Sequence, residues 1–221
     1  VSDTKAREEI CRVGRSLFER GYVHATAGNV SIRLPDGGFL ITPTDACLGF
    51  LDPARLSRLD AELKHVDGDT PSKTIALHSA IYSAATIGDP RTSCVIHTHS
   101  THCVALSLAP RDSELIPPIT PYFVMKVGHV PVIRYCRPGS PEAAREVVAA
   151  IKRYADAGTP IRAVMLTRLG PNVWHDTPAA AMATLEELEE TAKLWCLAER
   201  NATPLGAAEI DELRKTFNAR W

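Results

Sequence analysis

The chain has 221 residues, 25 Lys and Arg against 26 Asp and Glu, a formal net charge of −1, and 45% hydrophobic residues. At this length a fold buries roughly 70% of the surface its unfolded form exposes, enough for a core without covalent staples. The near-neutral balance, with no Lys/Arg run longer than two residues, argues against a nucleic-acid or anionic-membrane binder.

No stretch reaches the ~18 apolar residues of a membrane span, and Val1-Ser2-Asp3-Thr4-Lys5 lacks the apolar core of a secretion signal, so the cytoplasm is the expected compartment. Six cysteines (Cys11, Cys47, Cys94, Cys103, Cys136, Cys196) are scattered without Cys-x-x-Cys spacing and read as reduced core thiols.

In chain order, Asp3 to Gly21 places Ile10, Val13, Leu17 and Phe18 on one face and predicts an amphipathic helix. Val30 to Leu34 and Phe39 to Thr42 alternate like strands around a Pro35-Asp36-Gly37-Gly38 hairpin turn, and a third strand is expected over 61–66, before Asp67-Gly68-Asp69. A helix is expected from Ser72 to Ala85, then a strand from Cys94 into the histidines. Three prolines within Ile116 to Pro121 predict a loop. A strand over 130–135, a helix over 141–155 and a strand over 163–166 follow, then a long helix introduced by Asp176-Thr177-Pro178 and running to about Arg200, and a last helix over 207–218. With no repeat, low-complexity tract or dividing linker, residues 1–221 read as one α+β or three-layer domain.

The most specific feature is His97-Thr98-His99. If Cys94 to His99 is a strand, the two imidazoles share a face, with Cα atoms roughly 6.6 Å apart. They can converge on one ion, although a catalytic zinc site needs a further protein donor; the plainer alternative is a hydrogen-bonded pair at a strand end. His102 is out of phase and starts the next helix. Gly28-Asn29, Thr42-Pro43-Thr44 and Ser72-Lys73 have the close-approaching backbone and hydroxyls that suit a phosphate, but each is equally an ordinary turn or helix cap. Tyr122, Lys126, Arg134 and Arg137 are candidates for a carboxylate clamp or for solvated surface.

Taken in this order, Gly28-Asn29, Thr42-Pro43-Thr44, Pro71-Ser72, His97-Thr98-His99 and the helix carrying Glu186-Glu187-Leu188-Glu189-Glu190 resemble the class II aldolase/adducin family over nearly the whole chain. Leu51 to Ser57, Pro117 to Tyr122 and Arg137-Pro138-Gly139 are most similar to its 3-oxo-tetronate 4-phosphate decarboxylase branch. The resemblance implies an α/β fold, a three-layer α/β/α sandwich around a mainly antiparallel sheet, usually in a homotetramer. It implies a lyase acting on a small sugar-acid phosphate or oxo-acid, with Zn2+ or another divalent metal on His97 and His99. By the same resemblance the phosphate lies against Gly28, Asn29, Thr44, Ser72 and Lys73, and Tyr122 stands near the substrate.

Two positions depart from the family pattern. Leu169, in Leu166-Thr167-Arg168-Leu169-Gly170-Pro171, stands where the family has a third histidine ligand in Leu-x-Asn-His-Gly-Pro. Thr74 stands where the family has a catalytic glutamate, four residues before His78. A threonine hydroxyl cannot replace a carboxylate as general base. Arg168 beside the gap would repel a cation and attract a carboxylate or phosphate, or else face solvent. Three explanations follow: His175 or Asp176 folds back as a substitute ligand, a decarboxylation demands less of the site, or the chain is repurposed with metal-free chemistry or binding alone, as in adducin.

Overall fold

The computed structural model describes residues 2–109 and 113–221. Their packing divides them into two compact units, one formed by residues up to His99 with Trp174–Met182, the other by Ser100–Val173 with Ala183–Trp221. Among the described residues there are eight strands and seven α-helices.

The first unit opens with α1 (Asp3–Glu19), whose Ser2 side chain accepts from the Lys5 amide and whose apolar positions Ile10, Val13 and Leu17 are buried. β1 (Asn29–Arg33) and β2 (Phe39–Ile41) form the expected hairpin, its turn held by the Gly38 amide donating to Asp36. The third strand differs from expectation: β3 is Ser57–Leu59 and β4 is His65–Asp67. The intervening segment turns on itself, with the Asp60 carboxylate accepting from the amides of Glu62 and Lys64, so the expected run 61–66 is half turn. α2 (Ile75–Gly88) starts three residues later than expected, because the Ser72 and Thr74 hydroxyls bond each other. β5 (Cys94–His97) closes the set, in the order β4-β3-β2-β1-β5 with every neighbouring pair antiparallel.

Because side chains alternate along a strand, β1 serves two layers. Ile32 lines a cavity with Ala6 of α1, whereas the Ser31 hydroxyl bonds His78 and Tyr82 of α2. Helices therefore cover opposite faces of this sheet.

The second unit contains α3 (Thr101–Leu108), α4 (Pro121–Lys126), β6 (Val132–Ile133), α5 (Pro141–Asp156) and β7 (Ala163–Leu166). β8 (Gly170–His175), α6 (Pro178–Leu197) and α7 (Ala207–Phe217) complete the chain. β7 pairs with β8 antiparallel and with β6 in parallel. α6 starts as the Asp-Thr-Pro signal predicts, with the Thr177 hydroxyl accepting from the Ala180 amide. α4 and β8 were not legible in advance. Pro121 sits in the first turn of α4 behind the Thr120 cap, and the six residues of β8 open with Gly170-Pro171.

Candidate active site

Hydrogen-bond register brings most of the candidate residues of the first unit to one end of its sheet. Asn29 opens β1 opposite His97, which closes β5. Beyond β2, the Thr42 amide donates to the Val30 carbonyl, and the Thr42 hydroxyl accepts from the Val30 amide. Pro43 then bridges Pro71, the Thr44 amide donates to Thr70, and the Ser72 amide donates to Thr42. Gly28-Asn29, Thr42 to Thr44, Ser72 to Thr74 and His97 thus converge, although they are far apart in sequence. Lys73 and Thr44 are exposed there.

Gly28 is required by this arrangement. Its φ is +86°, and a Cβ at this position would lie 2.9 Å from the His97 carbonyl oxygen and 2.8 Å from Val23 Cγ1. The backbone can approach the end of β5 only because no side chain intervenes.

β5 ends at His97, so His99 is not on the strand as expected, yet the loop returns its ring to the first, with centroids 5.1 Å apart and planes at 69°. His24 also lies near His99, with ring centroids 6.4 Å apart and planes at 72°. Burial, and secondarily His24, lower the pKa of His99. His78 is fully buried on α2; burial and then the neighbouring His97 push its pKa down to about 3, so its ring is neutral. The Tyr82 hydroxyl donates to the Ser31 carbonyl, so its oxygen can accept from Ser31 Oγ, which in turn accepts from His78 Nδ1. This chain assigns the proton to Nδ1. His78 Nε2 and Asn29 Oδ1 are buried polar atoms without a hydrogen-bond partner among the described residues.

Thr74 lies one turn before His78, whose amide donates to the Thr74 carbonyl, and its hydroxyl is engaged with Ser72. His175 and Asp176 do not act as substitute ligands. The Ser93 amide donates to the His175 carbonyl and the Ser93 hydroxyl to the Asp176 carbonyl. Ser93 precedes β5, four residues or about 13 Å of strand from His97, at the opposite end. The two side chains bond each other there, Nδ1 to Oδ1 at 2.5 Å.

The remaining candidates belong to the second unit. Tyr122 is 60% exposed on α4. Arg168 is exposed in the turn between β7 and β8, at φ +65°, its amide donating to the Ser107 hydroxyl. Leu169 follows it, half-buried. Arg134 forms no clamp but pairs with Glu142 and Glu146 of α5; Lys126 and Arg137 are exposed. Sequence reasoning missed His24 and Glu189. His24 carries no motif. Glu189 sits in a recognised acidic run, but only the fold shows that its carboxylate accepts from the His102 and Cys103 amides and meets His102 Nδ1.

A cleft of about 630 Å³ borders Thr44 and is lined by Asp45, Asp52, Arg55, His65 and Asp69, among others. With three carboxylates and its arginine already paired to Asp69 at 2.7 Å, it is a poor phosphate host compared with the loops at the sheet end.

Two imidazoles on one tetrahedral ion have ring centres about 5.2 Å apart, given about 2.05 Å from ion to nitrogen, and His97 and His99 match that spacing. The donor set is nevertheless incomplete. Among the described residues no group of three His, Cys, Asp or Glu side chains is placed to hold an ion, whereas open catalytic zinc sites use three protein ligands. As the side chains stand they do not fit a resident, tightly held metal, and no reaction step is derived through one.

The chain matches the family model for the class II aldolase and adducin N-terminal domain over residues 8–196. It is 49% identical to a 3-oxo-tetronate 4-phosphate decarboxylase from Cupriavidus necator, across 100% of this chain and 99% of that protein. An L-fuculose phosphate aldolase from Methanococcus vannielii is 32% identical over 85% and 93% of the two chains. The crystal structure of YgbL from Escherichia coli superposes with a TM-score of 0.85 at 41% identity, covering 96% of this chain and 99% of the other. The chain belongs to the class II aldolase and adducin family, and its fold is the mixed α/β fold of that family.

Proposed function

We propose that residues 1–221 form a single domain of this family that acts as a lyase on a phosphorylated four-carbon oxo-acid of the 3-oxo-tetronate 4-phosphate type. The observation that carries the reading is the convergence of Gly28-Asn29, Thr42 to Thr44, Ser72 to Thr74 and His97 at one sheet end. Identity of 41–49% to decarboxylases that carry this substrate in their names supports the substrate class. Backbone amides and hydroxyls of Gly28, Asn29, Thr44 and Ser72, with the exposed ammonium of Lys73, hold the phosphate.

Thr74 and Leu169 favour decarboxylation over aldol cleavage. Aldol cleavage must remove a hydroxyl proton, and the Thr74 hydroxyl is no general base. In decarboxylation the C1–C2 bond breaks, its electron pair moves onto the 3-oxo oxygen through a new C2–C3 double bond, CO2 leaves, and C2 later takes a proton. The chain must then place donors at the developing oxyanion, a role that suits the imidazoles of His97 and His99. Tyr122 and Arg168 are proposed substrate contacts on the strength of the resemblance. We place the protein in the cytoplasm; no helix of the described residues is long and apolar enough to cross a membrane.

The incomplete donor set favours a second reading, in which the same site binds the phosphorylated acid without turning it over. CO2 release from 3-oxo-tetronate 4-phosphate, measured beside calorimetric binding of the same compound, separates the two. Turnover supports the lyase, binding without turnover supports the second reading, and neither event overturns both. Under the lyase reading, joint substitution Thr74→Glu and Leu169→His raises turnover and uncovers aldol cleavage.

A further inference from the structure

At the end of the first unit's sheet opposite His97, a cavity of about 540 Å³ lies between α1, the outgoing end of β1, residues 90–93 and residues 176–179. Its volume falls within the range of small-molecule sites. The floor is apolar and comes from two layers, Ala6 of α1 and the strand residues Ile32 and Leu34, all three buried. Alternation along β1 turns the Arg33 side chain, like that of Ser31, toward α2, so its guanidinium does not serve the cavity. Pro35, Pro90 and Pro178 stand in the walls with fixed φ, and such walls lose little conformational freedom when something binds between them.

The charged groups of the lining leave one cation over. Glu9 is bonded at both oxygens by Arg12, at 3.1 and 2.7 Å, from outside the lining. Asp176 meets His175 Nδ1 at 2.5 Å and stands 3.8 Å from Arg91, which also lies 3.6 Å from Asp89. Lys5, one helical turn before Glu9, is exposed and makes no side-chain hydrogen bond or ion pair with a described residue. We propose that this cavity is a second binding site, for a small monocarboxylate with an apolar body, whose carboxylate pairs with Lys5 while its body lies on Ala6, Ile32 and Leu34. One unanswered ammonium selects one negative charge; a dianionic phosphate would face Glu9 and Asp176 with too little positive charge to offset it. The cavity shares no residue with the loops at the other sheet end, so the two sites can be filled independently.

The test is a calorimetric titration of the full chain with 4-phenylbutyrate, beside its neutral amide. The acid is expected to bind one equivalent with a dissociation constant of about 1 mM or tighter, the scale for a ligand of about a dozen heavy atoms, and the amide at least about tenfold more weakly, for want of the ion pair. Lys5→Glu should weaken the acid at least about tenfold and leave the amide unchanged, and Lys5→Arg should restore the acid. Ala179→Trp, a substitution at an exposed position of the lining, should block both ligands by filling the cavity from its rim. Lys73→Ala, at the other sheet end, should change neither. A wild type that binds no acid overturns the site, and equal affinity for acid and amide, or wild-type affinity in Lys5→Glu, overturns the pairing with Lys5. Loss of the acid in Lys73→Ala but not in Ala179→Trp would move it to the other sheet end and overturn the proposal as well. None of these outcomes depends on the CO2-release assay.

Discussion

Arg168 holds the left-handed conformation, φ +65°, at a place where the family pattern has asparagine, a residue that tolerates it better. Its side chain is exposed, so little packing offsets the backbone cost. Arg168→Gly is expected to stabilise the fold by about 0.5–1 kcal/mol, read from the urea midpoint. Asn172 is a second residue of this kind: both amide atoms are buried on β8 without a hydrogen-bond partner among the described residues. Asn172→Leu keeps the shape, removes the desolvated polar atoms, and should raise stability by about 1–3 kcal/mol; a drop in thermal midpoint would contradict this account. His78 makes stability depend on pH. Its folded pKa of about 3 lies below the ordinary value of 6.5, so its contribution is complete above pH 6.5 and is lost as pH falls toward 3. Over that window the wild type should lose up to about 1.4 kcal/mol per pH unit more than His78→Gln, in parallel denaturation curves.

At the scale of elements, Glu189 ties α6 to the first turn of α3. Its carboxylate, 3% exposed, accepts from the His102 and Cys103 amides at 2.9 and 3.1 Å and sits 2.8 Å from His102 Nδ1. Glu189→Ala strands those donors at a helix start and should cost about 3 kcal/mol or more, whereas Glu189→Gln, which keeps an acceptor, should cost less in the same melts. The helices carrying strong signals were legible: apolar periodicity and caps set α1, α5 and α6 within a few residues. The short strands were not. β3 and β4 have three residues each, too few for alternation to stand out, and a pattern spanning a turn between them reads as one strand. At the site, His97, Gly28 and the hydroxyl-bearing loops were marked by local sequence, while His24 and the Ser31, Tyr82 and His78 chain depend on contacts between residues 47 to 75 positions apart.

For the whole molecule, the resemblance to the family predicts a native mass near four times the 24.0 kDa of one chain, measured by light scattering. Exposed Phe50, Ile87, Leu197 and Phe217 are apolar groups that subunit contacts would cover. A monomer at micromolar concentration would contradict the expectation.

Sequence by itself determined the family, the mixed α/β class and the His97-Thr98-His99 motif, because local periodicity and short motifs survive without knowledge of distant partners. The exchanges proposed at Thr74 and Leu169 rest on the same resemblance. Tertiary structure decided what surrounds the motif. Hydrogen bonds from the Ser93 amide and hydroxyl hold His175 and Asp176 at the far end of β5, which removes them as substitute ligands. The absence of a side chain at Gly28 lets the loop bearing His24 close on the same strand end as His97. Long-range hydrogen bonds and close backbone approach act between residues far apart in the chain, so the neighbours of each histidine became visible only in the folded molecule.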